Sequence, residues 1–163
     1  MQAFAVWLAA TRYSAFVNGH QWVWPACETL HFIGLALLIG NVGLLDLRLL
    51  GFAKGLPFVS LNRFIRWAVI GFVVNLVTGI TFFVGNPFQY VHNIAFGYKL
   101  AFMALAGVNV LVFYATGLFR TLVTLGPDED APVLAKVIAA TSLFLWVGVM
   151  YMGRMLPYIG NSF

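Results

Sequence analysis

Four separate stretches of this chain are each apolar over the ~20 residues that an α-helix needs to cross ~30 Å of hydrocarbon, and few ionised side chains interrupt them. A helix satisfies its own backbone N–H and C=O groups, so it can cross where no water is available to do so. Composition points the same way: of 163 residues, 62% are hydrophobic and 9% charged, against about 25% charged in an ordinary soluble domain. The sequence predicts an all-α fold, an integral membrane four-helix bundle, with crossings at about 22–45, 64–84, 95–119 and 134–156.

The connections between these stretches are short and none is of low complexity, so a single membrane domain over 1–163 is expected. Trp22, Trp24 and Pro25 suit an interfacial helix start, and Asn86-Pro87 and Gly126-Pro127 mark connections. Positive charge is missing before the apolar run Ala3 to Ala10, which breaks at Thr11 and Arg12, so the expectation is that 1–21 is not a cleaved leader. Phe4, Trp7 and Leu8 share one helical face, which predicts a helix over 3–17 lying in the outer interface; a frayed or partner-docked terminus is the alternative.

Arg48, Lys54, Arg63, Arg66, Arg120 and Lys136 flank the loops on one side, against Arg12, Lys99 and Arg154 on the other. The excess makes the first side cytoplasmic and puts both termini in the periplasm of a bacterial inner membrane. The net charge of +4 is spread over loops rather than gathered on one basic helix, which argues against nucleic-acid binding. Cys27 is alone, so no intrachain disulfide forms.

Lipid gives helices little hydrophobic reason to associate, so small residues and interhelical hydrogen bonds must hold the bundle. Gly34, Gly40, Gly43, Gly71, Gly79, Ala104 and Gly107 offer close-approach positions, and Asn75 and Asn109 read as interhelical glue.

The feature that points to chemistry is Cys27-Glu28-Thr29-Leu30-His31, followed by the apolar run FIGLALLIG. It sets ionisable groups inside a crossing, where they are costly and usually have a partner or a task. Cys27 and Glu28 both share a helical face with His31. Three readings of His31 stay open. As a haem ligand, its imidazole holds iron while the propionates reach Arg12, Lys99 or Arg154. As a copper ligand, it joins Cys27 and Met150, Met152 or Met155. As a structural group, it pairs with Glu28 and locks the helix to its neighbours.

His20 and His92 belong to the outer side, and His92 approaches His31 only if the connection NPFQYVHNIAFG folds inward. Lys99 and Arg154 each either snorkel to headgroups or neutralise an acidic ligand group. Tyr90, Trp146 and Tyr151 are aromatic groups able to flank a site or anchor the interface. Asp46 and Arg48, two apart, are expected to pair with other groups rather than each other. Asp128, Glu129 and Asp130 complement the N-terminal dipole of the last helix. No phosphate-binding glycine loop, nucleophile elbow or metalloprotease helix occurs.

The segments TLHFIGLALLIGNVGLLDLRLLG, NRFIRWAVIGFVVNLVTGITFF and FGYKLAFMALAGVNVL resemble a large group of uncharacterised bacterial four-helix membrane proteins. More distantly they resemble the CopD-type copper-resistance membrane proteins and the haem-binding four-helix protoporphyrinogen oxidases, which have a histidine early in the first crossing and a lysine opening the third. The likeness runs from Trp22 onward. It implies His31 as an axial haem ligand and Lys99 as a contact for a porphyrin carboxylate. The spacing before Lys99 and the sequence after Leu50 depart from the oxidase pattern, which puts that catalytic activity in doubt.

The function expected is a b-type haem or quinone-associated electron-transfer protein, with His31, His92, Lys99 and Arg154 as cofactor-binding candidates. It would act alone, as a homodimer, or as the anchor of a larger membrane redox complex. A copper-handling protein using His31 and Cys27, and a cofactor-free structural subunit, are the alternatives.

Overall fold

The structure is a computed structural model that describes residues 2–52, 54–57, 61–126 and 129–159. All its regular structure is helical: α1 (Gln2–Ala9), α2 (Arg12–Gly19), α3 (Val23–Leu50), α4 (Leu61–Gly85), α5 (Pro87–Val91), α6 (Ile94–Ala115), α7 (Leu118–Val123) and α8 (Val133–Met155). Four of these, α3, α4, α6 and α8, are long and apolar enough to cross a membrane. Their large side chains point mostly outward: Phe32, Val77, Leu111 and Phe144 are all exposed. Water would penalise such a surface, whereas lipid solvates it. The chain is a multi-pass helical membrane protein.

In space α4 packs on α3, α3 on α8, and α8 on α6. The α3–α4 seam is a backbone contact. A Cβ at Gly71 would stand 2.6 Å from both the Gly34 oxygen and the Leu38 nitrogen, and one at Gly34 would stand 2.8 Å from Asn75 Nδ2. Only glycine at both positions lets the two helices come this close, which maximises dispersion contact where hydrophobicity offers little. The α6–α8 seam uses side chains instead. Asn109 Nδ2 donates to the Ile138 carbonyl at 3.0 Å, and the Phe102 ring lies over Gly148. Asn109 is therefore the interhelical glue expected of it. Asn75 is not: it donates to Gly71 in its own helix, and its buried Oδ1 has no partner among the described residues.

Two boundaries differ from the sequence expectation. The first crossing runs on past Leu45 to Leu50, because Asp46, Arg48 and Leu49 are buried rather than left in water, and Gly51 ends it with φ 95°. The third stops at Ala115, because Gly117, at φ 70°, turns the chain into the separate helix α7. Leu118 and Leu122 of α7 then join Leu49, Phe113, Ala135 and Ala139 in a core at this end of the bundle.

The N-terminal segment is two helices rather than the single one predicted over 3–17. Thr11 breaks it, accepting a hydrogen bond from the Ser14 N–H as the N-cap of α2. The pair docks on its own bundle. Tyr13 and Thr81 hydroxyls meet at 2.8 Å, and Asn18 Nδ2 donates to the Gly85 carbonyl at 2.8 Å. Trp7 and Trp22 remain exposed, where indole rings suit a headgroup layer.

Candidate functional site

His31 lies two turns into α3 on the seam with α4, one turn before the Gly34–Gly71 crossing. Its Nδ1 stands 2.7 Å from Thr78 Oγ1. The Thr78 hydroxyl has one proton, and the Val74 carbonyl 2.7 Å away in the preceding turn takes it. Thr78 therefore accepts from His31, which assigns the proton to Nδ1 and leaves the Nε2 lone pair available. Among the described residues Nε2 makes no hydrogen bond. The ring is further held by the edge of Phe82, centroids 5.5 Å apart, and Phe82 stacks on Trp24 at 5.5 Å.

Thr78 is the partner of His31 that sequence reasoning missed. Gly71, Asn75, Thr78 and Phe82 recur at helical spacing on one face of α4. That small and polar stripe in an apolar crossing was the available signal.

Lys99, near the start of α6, turns inward along α8. Its Cδ, Cε and Nζ lie 3.6–3.8 Å from where a Cβ on Gly153 would be, so the absence of a side chain there makes room for it. Neither a hydrogen bond nor an ion pair engages its amine among the described residues, so this cation faces the bundle uncompensated. Glu28 is exposed and makes no hydrogen bond to His31, which leaves the Glu28–His31 pair of the structural alternative unmade. Burial, and then the nearby Glu28 carboxylate, push the Tyr90 phenol above its ordinary pKa. Tyr90 sits in a ring cluster with Phe83 and Phe96 that closes this end between α4 and α6.

The other predicted candidates do not converge on His31. His92 is exposed at the end of α5, and no hydrogen bond or ring contact links it to His31. His20 is exposed, its Nδ1 2.9 Å from the Phe16 carbonyl. Arg154 is exposed and lies over the Tyr158 ring at 5.9 Å. Cys27 is a half-buried free thiol. Met150 lines an apolar cleft of about 30 Å³ with Ile39, Val42, Gly43 and Trp146, further along α3. Among the described residues no three His, Cys, Asp or Glu side chains come together as a metal site. Tyr151 is exposed to the surroundings.

At the opposite end of α3, Arg48 is fully buried. Its Nε donates to the Leu56 carbonyl at 2.7 Å, and both terminal nitrogens reach the Glu129 carbonyl at 3.4 Å. It ties the loop after α3 to the segment before α8. Asp46 and Arg48 have different neighbours, as the sequence predicted: the Asp46 carboxyl has Ser142 beside it, while its Oδ2 has no partner among the described residues. Glu129 accepts from the Gly126 N–H at 2.8 Å, and Asp130 pairs with Lys54 at 3.0 Å and Lys136 at 3.6 Å. Asp130 thus links the loop after α3 to the first turn of α8, and Glu129 closes its own loop; Asp128 and Pro127 lie outside the described residues.

A model of a family of unknown function, DUF6644, matches residues 11–161. No curated protein and no solved structure matches the chain.

Proposed function

The chain belongs to the family of unknown function DUF6644, and we propose that it is a membrane redox protein of the bacterial inner membrane in which His31 is the axial ligand of a b-type haem. The single observation behind this is the His31–Thr78 hydrogen bond. Metal-binding imidazoles are usually fixed through their second nitrogen, which sets the tautomer, aims the ring and raises the basicity of the ligating nitrogen. Thr78 does this here with a hydroxyl that is itself committed to the Val74 carbonyl.

The residues fit the group in a second respect. A haem carries two carboxylates, and Lys99 offers a cation that lies along the bare Gly153 position of α8 with no ion pair among the described residues. Phe82 and Trp24 exclude water from one side of the imidazole. Haem would supply reversible one-electron transfer. The protein's part is to hold a neutral imidazole, neutralise a propionate and keep the site dry. The chain would serve electron transfer by itself, as a homodimer, or as the anchor of a larger redox complex, with both termini in the periplasm.

Lys99 also favours a second reading, a quinone site. An ammonium in a lipid-accessible bundle can donate to a quinone carbonyl oxygen, and the His31 Nε2 lone pair can accept from the hydroxyl of the reduced quinol. Oxidised and dithionite-reduced optical spectra of the detergent-purified protein, beside His31→Ala and Thr78→Val, separate the two. Soret and α bands that vanish in His31→Ala and shift in Thr78→Val support haem. A colourless protein whose organic extract contains a quinone that His31→Ala lacks supports the second. A colourless protein without quinone rejects both.

A further inference from the structure

At the Arg48 end of the bundle, α6 stops at Ala115 and Gly117, in the left-handed region at φ 70°, redirects the chain into α7. Leu118 and Leu122 are buried and pin α7 in place. The elbow leaves a notch of about 380 Å³ lined by Tyr114, Ala115, Gly117, Phe119 and Arg120. The Tyr114 and Phe119 rings stand 5.8 Å apart along it.

Arg120 is exposed and has no hydrogen bond or ion pair among the described residues. The described acids at this end are otherwise engaged: Asp130 by Lys54 and Lys136, Glu129 by the Gly126 N–H, and Asp46 is buried beside Ser142. Further positive charge stands near the same end. Arg63 and Arg66 are exposed in the first turns of α4, and Phe64 between them packs with Phe119 on one core cluster.

This notch sits where a crossing ends, which is the level of phospholipid headgroups. Above it, Val108 and Leu111 on α6 are exposed and offer an apolar track. We propose that the notch binds the phosphate of an anionic phospholipid, with the Arg120 guanidinium and the Tyr114 hydroxyl as its ligands and the acyl chains along α6. A guanidinium suits a phosphate because its planar donors match two oxygens at once. The lining carries one cation and no carboxylate, so the cation of a zwitterionic headgroup would find no partner in it and the site selects net negative charge. Free inorganic phosphate shares the chemistry but gains nothing from the apolar track.

Native mass spectrometry of the delipidated full chain, titrated with phosphatidylglycerol, phosphatidylcholine and inorganic phosphate, tests this. Phosphatidylglycerol should bind about tenfold tighter than phosphatidylcholine, and Arg120→Gln should lose about that factor, the size of one charge-assisted contact. Tyr114→Phe should lose a smaller one, and Arg154→Gln at the other end should lose none. Arg120 is exposed, so its substitution leaves the fold intact. Equal binding of the two lipids, or phosphatidylglycerol binding indifferent to Arg120→Gln, overturns the proposal. Displacement of phosphatidylglycerol by equimolar phosphate overturns its lipid part.

Discussion

The two ends of α3 treat their polar groups in opposite ways. At the far end Arg48 is buried with its donors on the Leu56 and Glu129 carbonyls, and Asp130 bridges Lys54 in the loop after α3 and Lys136 in α8. At the near end His31 uses one nitrogen and keeps the other, and Lys99 faces inward with no counter-charge among the described residues. In low dielectric an unmet donor or acceptor costs about 1–3 kcal/mol, and more if charged. Groups that are fully met hold the fold together, whereas groups left unmet inside a membrane bundle point to a ligand that would meet them. At the Arg48 end the buried contacts tie loops together, and the His31 end is where the cofactor proposed above would sit. Asp46 Oδ2, without a partner among the described residues, departs from this pattern among the buried groups at the Arg48 end.

The largest effect should come from the seam that both ends depend on. Gly71→Leu would push a side chain into the Gly34 and Leu38 backbone, which cannot rotate aside. A loss of about 3 kcal/mol, the upper range for overpacking, is expected, seen as a large drop in thermal midpoint in detergent. Gly79→Leu, on the same helix but with open space around it, should change little. Equal effects at the two glycines would show that the α3–α4 crossing is not the close contact described here.

Next comes Arg48→Met, which keeps the volume and removes the donors. Losing charge-assisted hydrogen bonds from a buried guanidinium to the Leu56 and Glu129 carbonyls should cost about 2–3 kcal/mol. Optical or quinone-binding signals at His31 should survive in the fraction that stays folded. His31→Ala should do the reverse, costing about 1 kcal/mol for one hydrogen bond while abolishing the bound cofactor. If Arg48→Met removes the cofactor at no cost in stability, the division between the two ends fails.

That division was only half visible in the sequence. Crossings were legible because a membrane helix announces itself by length and apolarity alone; of the misjudged boundaries, one falls where buried polar groups, Asp46 and Arg48, look like loop residues, and the other where Gly117 turns an apolar run into a separate helix. His31 stood out because an imidazole in such a run is rare. Thr78 did not, because one hydroxyl on a helix normally returns its proton to its own backbone, and Thr78 does that while also holding His31. The inward turn of Lys99 was undecidable from position, since a lysine near a helix start can snorkel equally well; the bare face of Gly153 on a different helix decides it. Long-range neighbours of this kind leave no local pattern.

The smallest effect belongs to Asp130, and its pH dependence has a definite sign. The hydrogen bond from Lys54, then the charges of Lys136 and Lys54, hold its carboxyl below the ordinary carboxylate pKa. Its folded pKa thus lies below the unfolded one. The stability it contributes is complete above the ordinary value and is lost as pH falls through the depressed folded value. Because the group is exposed, salt should screen it, with a Debye length of ~3 Å at about 1 M. Wild type should therefore melt slightly above Asp130→Asn at neutral pH and low salt, and the gap should close in strong acid or about 1 M salt. The Arg48→Met deficit should persist in that salt, since buried contacts are screened much less. A gap for Asp130→Asn that ignores both acid and salt would mean that the carboxylate supports the loops by something other than its charge, and the two kinds of polar contact at this end would have to be weighed afresh.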